Sequence, residues 1–565
     1  MLVEKYFADL HREIEPAATR QLGCISTGPT APTSSRHYSA RRAVGGRSGT
    51  NRNRFWRLRL HAAGGDDRIS ALPDDLLLLV LRRVESTRTA LGTGLLSTRW
   101  AHLPRELPAL DLRVTDILPR RYYRWLLLHS DIYRKGSHML YYGFGGIKKK
   151  LMPDIRRYQR RAMRALSTSV NSLLDADDTV QPRRKVDRLR LDFFITNNTA
   201  CMNRLISKAM DAWGVNELEA VAKPIHWHLT VHTFPTHGLC QDPRSSSLRS
   251  LKLGGCLLPP LHEYSALSTL VLQDIPELSA AAYERIFTSC TRLLLLHLNS
   301  CSCGQGMGTV VVVDAPSSEI RELVVHKCRF SMSMRALPKL ESLASFETRV
   351  QFESTSFPCL RRWNLACDLG VRSKGFRKYC AQHLELDLFL ECTPDISDLI
   401  IRFTGPDRWI EPSSSPSSLL LPNLRRLLVA DVPSSWDVSW PRLLLEVAPS
   451  LEIFHIHIAP SMDEPGDEIS WQPANLRRHH LKEFVMSGFE GTEQQIYLVK
   501  FVMGVCTTLS RVAMFKSGHA LDKGHWEWEM VTQQSTWTEE EKGPLLEHIM
   551  DGVSSSTTPL QLIFG

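Results

Sequence analysis

The sequence lacks long apolar runs, and this excludes several classes of protein. None of its 565 residues lies in an uninterrupted apolar stretch of about 18 residues, the length that marks a membrane-spanning helix. The apolar segment of a secretory signal is also missing. We therefore expect no membrane contact, a location in the cytoplasm or the nucleus, and reduced thiols on the 13 cysteines.

The short motifs of common catalytic sites are missing as well. The sequence contains no G-x-S-x-G, no phosphate loop of the form G-x-x-x-x-G-K-[ST] and no H-E-x-x-H. It also has no RING-like grid of cysteine and histidine. From these absences we expect a protein that is not an enzyme and that needs no cofactor.

Acidic residues are absent from residues 16–65, which hold nine arginines and no lysine. This segment therefore carries the whole formal net charge of +9. Its Arg, Ser, Thr, Gly and Pro content without apolar periodicity predicts disorder. Because the positive charge is confined to this tail, nucleic acid is not the expected partner of the body of the chain.

A leucine pattern recurs through the body of the chain. The spacing L-x-x-L-x-L-x-x-(N/C) begins at Leu248, Leu293 and Ile320, and looser copies begin at Val186, Leu267, Leu360, Leu424, Leu451, Leu481 and Leu509. A period of roughly 20–30 residues is typical of leucine-rich repeats, whose stacked turns share one core. We predict such a solenoid, interrupted between Cys367 and Leu421 where the copies are degenerate. Unrelated strands of an α/β domain are the alternative.

Two clusters of metal-ligating residue types have simpler explanations. Cys256, Cys301 and Cys328 share the last position of the repeat, where a buried Asn or Cys ordinarily caps the turn. Residues 226–240 hold five possible zinc ligands, among them His232 and Cys240, but lack the C-x-x-C anchor that makes a zinc prediction specific. We expect no metal site from either cluster.

One segment of the N-terminal third resembles a known family. Leu72-Pro73 opens an apolar run, and Leu95–Trp100 (LLSTRW) closes a second one. Proline suits the first turn of a helix, and the two aspartates that follow it face the positive end of the helix dipole. The segment 66–112 resembles an F-box, although Val84-Glu85-Ser86 replaces the usual apolar-Pro pair of that family. An ordinary amphipathic helix pair is the alternative.

The C-terminal part extends the resemblance. A strand, a Gly-bearing turn and a helix between His480 and Met503, followed by a strand at Leu509–Met514, resemble the FBD region of plant F-box/leucine-rich-repeat proteins. The fold class is α/β, with a small helical module before an irregular, horseshoe-shaped solenoid. The predicted parts are a disordered basic tail (1–65), an F-box (66–112), a helical linker (113–180), the solenoid (181–475), an FBD-like region (476–530) and a loosely ordered tail (531–565).

The resemblance implies a function. F-box proteins dock on a Skp-family adaptor, and through it on a cullin, and hold a protein substrate for ubiquitination without chemistry of their own. The resemblance places six residues at or beneath the adaptor surface: Leu72, Pro73, Leu76, Leu77, Leu96 and Trp100. Internal packing is the alternative for each.

The repeat pattern also predicts a substrate-facing set. The residue between the second and third apolar positions points away from the core, so we expect exposed side chains at Lys252, His297, Val324 and Asn364. Two other functions stay open. One is a repeat scaffold without ubiquitination, and the other is a nucleic-acid binder that uses the arginine tail and the helix at Arg156–Arg164.

Overall fold

The computed structural model describes residues 72–84, 103–127, 144–178, 184–197, 199–225, 230–276, 278–304, 308–353, 357–367, 384–385, 393, 395–403, 410–411, 420–434, 441–460, 480–506, 508–532, 537–551 and 560–565. The chain divides into two compact units. The first comprises residues up to Leu107 together with Asp116–Ala162, and the second comprises Pro108–Thr115 and Met163–Gly565. Leu96, Trp100, His226 and His228 lie outside the described residues.

The first unit begins with helix α1, Asp74–Arg82. Pro73 precedes it, and the Pro73 carbonyl accepts hydrogen bonds from the amides of Leu76 and Leu77 at 3.0 and 3.1 Å. A 3₁₀ helix follows at Leu103–Glu106. Helix α2, Phe144–Asp178, contributes to both units. Its apolar residues Ile155, Ala162 and Leu166 are buried, whereas Tyr158 is only partly buried.

The second unit is built on one open sheet of 15 strands. Every neighbouring pair in it is parallel. In spatial order its strands are β1 (Ala109–Arg113), β2 (Arg188–Phe194), β3 (Glu217–Lys223), β4 (Ser250–Gly254), β5 (Thr269–Gln273), β6 (Leu295–Asn299), β8 (Glu322–His326), β10 (Ser342–Phe346), β12 (Arg362–Cys367), β14 (Asp398–Phe403), β16 (Arg426–Pro433), β17 (Ile453–Ala459), β18 (Glu483–Ser487), β19 (Arg511–Phe515) and β22 (Gln561–Phe564).

The segments between these strands carry smaller elements. A second parallel sheet contains β7 (Val310–Asp314), β9 (Ser331–Ala336) and β11 (Val350–Phe352), and a third pairs β13 (Leu384–Glu385) with β15 (Ile410–Glu411). Strands β20 (Gly518–Asp522) and β21 (Trp528–Thr532) form an antiparallel hairpin. The other α-helices in the described part of the chain are α3 (Ala200–Asp211), α4 (Ala280–Ser289), α5 (Arg442–Val447), α6 (Glu493–Val505) and α7 (Glu539–Met550).

The register of the main sheet explains its core. The second apolar position of each repeat lies opposite its counterpart on the next strand, from Leu110 on β1 to Leu562 on β22. Between these ends the column includes Leu251, Leu296 and Trp363, all at most 1% exposed. Because no single strand encloses such side chains, their burial depends on neighbouring strands in the same register. This arrangement is compatible with the predicted solenoid.

The structure differs from the expected organisation of the chain in three places. The sheet is not interrupted between Cys367 and Leu421, because β14 pairs with both β12 and β16. Residues 109–112, placed at the end of the F-box segment, lie in β1, whose apolar residues join the sheet core. The segment 531–565 is not loosely ordered throughout, since α7 lies in it and β22 pairs with β19.

No helix among the described residues combines the length and the apolar character that crossing a bilayer requires.

Candidate functional site

Helix α1 presents apolar side chains on two faces. Leu77, Leu78 and Leu81 are buried together with Leu103 and Leu107, and Leu72 and Val84 pack against this cluster. The opposite face exposes Leu76, Leu79 and Val80, at 45%, 47% and 46% of their surface. Residues three and four positions apart share a face of a helix, so these three residues form one continuous apolar strip. We call them the α1 strip.

The four sequence-predicted adaptor residues that the structure describes divide between these two faces. Leu76 belongs to the α1 strip and Pro73 is exposed beside it. Leu77 is fully buried and Leu72 is partly buried, so both support the helix from beneath. Leu79 and Val80 were not predicted, although their spacing from Leu76 is a signal that the sequence already contained.

The second candidate surface is the face of the main sheet opposite the leucine columns. We call it the outer face. It is formed by the residue between the second and third apolar positions of each repeat, here called the middle residue, since successive side chains of a strand alternate between faces. On β1 to β4 these middle residues are Asp111, Arg190, Glu219 and Lys252. Arg190 lies 3.8 Å from Asp111 and also pairs with Glu219, and Lys252 lies 2.7 Å from Glu219. Alternating charges thus run across four adjacent strands.

Glu219 is held in its ionised form by this ladder. Burial acts to raise the pKa of Glu219, but the hydrogen bonds and charges of Lys252 and Arg190 outweigh it and leave the pKa below its usual range. Lys252, which the sequence predicts to be exposed, has 34% of its side-chain surface exposed.

The character of the outer face changes beyond β6. His297 on β6 is half-buried, but Val324, Ala344, Asn364, Ile400 and Leu428 on the following strands are at most 4% exposed. The prediction that Val324 and Asn364 are exposed is therefore wrong. The hairpin β20–β21 covers part of this face, with contacts that run from His297 on β6 to His455 on β17.

The hairpin fills an apolar patch in the middle of the outer face. Ala520, Trp528 and Met530 pack against Ile400 and Leu428 in one cluster. Near the tip of the hairpin, the Asn364 amide donates a hydrogen bond of 2.8 Å to the His525 carbonyl. The same His525 ring lies 5.3 Å from the ring of His297, centroid to centroid. Sequence analysis missed the hairpin, although the apolar middle residues Val324, Ile400 and Leu428 indicate a covered surface.

Arg426 on β16 contacts the hairpin through both charge and ring stacking. Its guanidinium nitrogens lie 3.2 and 2.8 Å from the two carboxylate oxygens of Glu527. It also stacks over the Trp528 ring at 4.5 Å and pairs with Asp398 of the neighbouring strand at 3.1 Å. The hydrogen bond from Arg426 lowers the pKa of Glu527. Bidentate and cation–π contacts from one guanidinium combine charge with a specific geometry.

His455 on β17 holds the indole of the same tryptophan. Trp528 Nε1 donates to His455 Nδ1 at 2.8 Å, and His455 Nε2 lies 2.8 Å from Glu483 Oε1. Because an indole N–H only donates, Nδ1 must carry a lone pair, and the ring proton is therefore on Nε2, facing Glu483. The hydrogen bond from His455 lowers the pKa of Glu483. The Glu483 carboxylate accepts the proton on Nε2 and so fixes this tautomer of His455.

Arg402 on β14 ties the other strand of the hairpin to the sheet. Its guanidinium lies 2.6 Å from Asp431 and 2.6 Å from Asp522 on β20. Asp431 is also 2.8 Å from His457 Nδ1. Burial acts to raise the pKa of Asp431, but His457 and Arg402 outweigh it and lower the pKa.

The cysteines of the repeat serve packing in this structure. Cys301 Sγ donates to the Leu272 carbonyl and Cys328 Sγ to the Leu298 carbonyl, each at 3.5 Å. Burial raises the pKa of Cys256 to about 12, so this thiol stays protonated. His232 is buried and lies 2.9 Å from Asn203 Oδ1, whereas His237 is exposed. Within the described residues no group of three or more His, Cys, Asp or Glu side chains is placed to hold a metal ion.

Two Arabidopsis thaliana proteins are similar to parts of this chain. An Arabidopsis thaliana protein named as an F-box protein is 46% identical over 57 residues, which is 10% of this chain and 11% of that protein. A second, named as an FBD-associated F-box protein, is 39% identical over 71 residues, or 11% of this chain and 16% of that protein. The chain resembles plant F-box proteins. The resemblance predicted from the sequence is thereby confirmed.

The similarity to F-box proteins is partial. The matches span 11% and 16% of the two relatives, and no family model matches the chain.

Proposed function

We propose that the chain is the substrate-recognition subunit of a Skp–cullin–F-box ubiquitin ligase in the cytoplasm or nucleus. The α1 strip docks a Skp-family adaptor, which connects the chain to a cullin, and the outer face of the main sheet, in a leucine-rich-repeat solenoid, binds a protein substrate. The observation that carries the proposal is the α1 strip itself. Three large apolar side chains stay half-exposed on a nine-residue helix whose opposite face is fully packed.

The physical case rests on the cost of leaving that strip in water. Full burial of a leucine or valine contributes about 1.5–3 kcal/mol, so covering the exposed half of three such side chains contributes roughly 2–4 kcal/mol. A few buried apolar side chains commonly dominate an interface. The buried cluster beneath α1 keeps the helix in place, so a partner binds a surface that is already formed.

The role of the chain in ubiquitin transfer is geometric. Its contribution is to hold a substrate lysine near a charged ubiquitin-conjugating enzyme, where proximity supplies much of the rate. The proposal assigns no residue of this chain a bond-making step, in keeping with the lack of catalytic motifs in the sequence.

The decisive experiment is co-purification of the full chain with a Skp-family adaptor. We expect wild type to form a one-to-one complex and the double variant Leu76→Gln/Leu79→Gln to bind at least tenfold more weakly, because both substitutions remove apolar surface from the α1 strip. The matched control is Arg82→Gln, on the same helix and also exposed, which should bind within about twofold of wild type.

Folding must be separated from docking in this experiment. Both substituted leucines are half-exposed, so the thermal unfolding midpoint of the double variant should match that of wild type. A folded wild type that binds no adaptor, or a double variant that binds as tightly as wild type, would overturn the docking role.

One observation favours a second function, a repeat scaffold that binds a partner without ubiquitination. Val84-Glu85-Ser86 replaces the apolar-Pro pair expected of an F-box. A chain with the sheet surfaces intact but without adaptor binding is the result that this alternative predicts.

A further inference from the structure

The hairpin β20–β21 occupies the part of the outer face that the proposed function assigns to substrate. Its residues touch strands that are far apart in the sequence: Asn364 lies 161 residues before His525, and His455 lies 73 residues before Trp528. The hairpin contacts the sheet through its side chains and through the main-chain carbonyl of His525. The sheet thus binds the hairpin as it would bind a separate peptide.

The groups that hold the hairpin each recognise a different feature of a peptide. Arg426 binds the Glu527 carboxylate with two nitrogens and stacks on the Trp528 ring. His455 accepts the indole proton of Trp528. Asn364 donates to the main-chain carbonyl of His525. Together they select an acidic residue followed directly by tryptophan.

The chemistry of this region contrasts with that of the first strands. On β2 to β4 the charged middle residues pair with one another across the strands. On β14 and β16 the two arginines Arg402 and Arg426 divide their hydrogen bonds between the sheet and the hairpin. Removal of the hairpin would leave each guanidinium with only its partner in the sheet.

We propose that the outer face from β12 to β17 is a binding site for an extended peptide that carries an acidic residue followed by tryptophan, and that the hairpin β20–β21 is its intramolecular occupant. The inference rests on the proposed function in one respect, namely that the competing peptide belongs to a protein substrate. A substrate with such a segment displaces the hairpin and takes over its contacts with Arg426, His455 and Asn364.

The tether decides how strongly the hairpin competes. Residues 516 and 517 alone separate β19 from β20, and short tethers give effective concentrations on the order of millimolar. A free peptide with the hairpin's own sequence therefore competes poorly with the wild-type hairpin. The same peptide should bind far better to a chain from which the hairpin has been removed.

The test uses a fluorescent synthetic peptide with the sequence of residues 516–532 and the full chain. In the first variant, residues 519–531 are replaced by a short Gly-Ser linker, which closes the gap because Gly518 and Thr532 are directly paired. In the second, Glu527→Gln/Trp528→Ala keeps the hairpin but removes its two best anchors. We expect both variants to bind the peptide at least tenfold more tightly than wild type.

Two controls show whether the peptide occupies the proposed site. A peptide carrying Trp528→Ala should bind the linker variant at least tenfold more weakly than the wild-type peptide. Adding His455→Phe to the linker variant keeps an aromatic ring but removes the indole acceptor, and should also weaken binding severalfold. Two results would overturn the proposal. One is equal binding of both peptides to the linker variant. The other is that both hairpin variants fold cooperatively yet bind the peptide no more tightly than wild type does.

The outcome is independent of adaptor docking. The hairpin variants leave Leu76 and Leu79 unchanged, so their co-purification with the adaptor should match that of wild type. Peptide binding without adaptor binding would retain this site and reject the ligase function. Adaptor binding without peptide binding would do the reverse.

Discussion

At residue scale, His232 shows how burial fixes the charge state of a side chain in this protein. Its ring is 3% exposed and packs edge-on against Phe193 and Phe234, with centroids 5.1 and 4.9 Å away. Asn203 Oδ1 lies 2.9 Å from its Nε2, which satisfies one ring nitrogen of the neutral form. Burial lowers the pKa of His232 to about 4.

This shift predicts a loss of stability in mild acid. An unfolded histidine has a pKa of about 6.5, so between that value and about 4 the unfolded chain binds a proton that the folded chain does not. The contribution of His232 is therefore complete above pH ~6.5 and is lost as the pH falls toward 4, by at most about 3 kcal/mol. Denaturant unfolding of wild type and His232→Gln at pH 7.5 and 4.5 measures it.

The quantity to compare is the change in the free energy of unfolding between pH 7.5 and pH 4.5, and not the free energy at either pH. We expect a smaller acid-induced loss in His232→Gln than in wild type, since glutamine does not titrate. His237→Gln is the matched control, because His237 is exposed and should lose as much stability as wild type. An unchanged acid loss in His232→Gln would contradict the prediction.

The middle residues of the strands mark the limit of sequence-based reasoning at this scale. Alternation along each strand predicted exposed side chains at Lys252 and His297, and the structure has them on the outer face with 34% and 22% of their surface exposed. It placed Val324 and Asn364 on the same face but gave them the wrong environment. The hairpin residue that bonds Asn364 lies 161 positions further along the chain, and local periodicity carries no information about such a contact.

At element scale, the leucine pattern located most strands of the sheet. All ten predicted copies run into strands of the main sheet at equivalent register, from Val186 before β2 to Leu509 before β19. Strands whose third apolar position is small or polar were missed, such as β3 with Ala220 and β10 with Ser345. The third apolar position is covered by the neighbouring strands, so it accepts a small or polar side chain that the leucine pattern does not match.

The turns that leave the strands share a left-handed backbone conformation. It occurs at Asp274, Ser300 and Lys327, with φ of 49°, 57° and 53°, and at Gly255 after β4, with φ of 60°. A Cβ at Gly255 would lie 1.9 Å from the Ala222 carbonyl oxygen. Glycine is needed there because the preceding strand passes too close for any side chain.

We therefore predict that Gly255→Ala destabilises the protein much more than Gly214→Ala. Gly214 has a similar φ of 69°, but nothing lies within 4 Å of the position that a methyl group would take there, so its alanine variant has only the backbone strain, about 1 kcal/mol. Gly255→Ala adds a clash with backbone and should lose at least about 2 kcal/mol more. Denaturant unfolding of both variants gives the comparison, and equal losses would show that the β3–β4 spacing relaxes freely.

At the scale of the whole second unit, two kinds of contact hold the sheet together. Strand pairing joins each strand only to its neighbours, as in a linear array whose stability is the sum of local interfaces. The hairpin β20–β21 adds contacts that reach from His297 on β6 to His455 on β17. It therefore couples strands that pairing alone would connect only through a series of intermediates.

This arrangement predicts that hairpin removal loosens a defined part of the sheet. In the variant with residues 519–531 replaced by a linker, amide hydrogen exchange on β12 to β17 should accelerate at least tenfold, because Trp528 and its apolar partners on β14 and β16 lose their cover. Exchange on β2 to β5 should stay within about twofold of wild type, since a linear array transmits a local loss only weakly.

A chain that stops after residue 559 supplies the matched control. It lacks β22, which pairs with β19, so its faster exchange should appear on β19 and its neighbour β18 and leave β12 to β14 protected. Two distinct footprints would establish that stability in the second unit is local along the sheet and is bridged across it by the hairpin. Uniform acceleration in either variant would mean that the sheet opens as one cooperative unit, and the hairpin would then be one ordinary part of a single core.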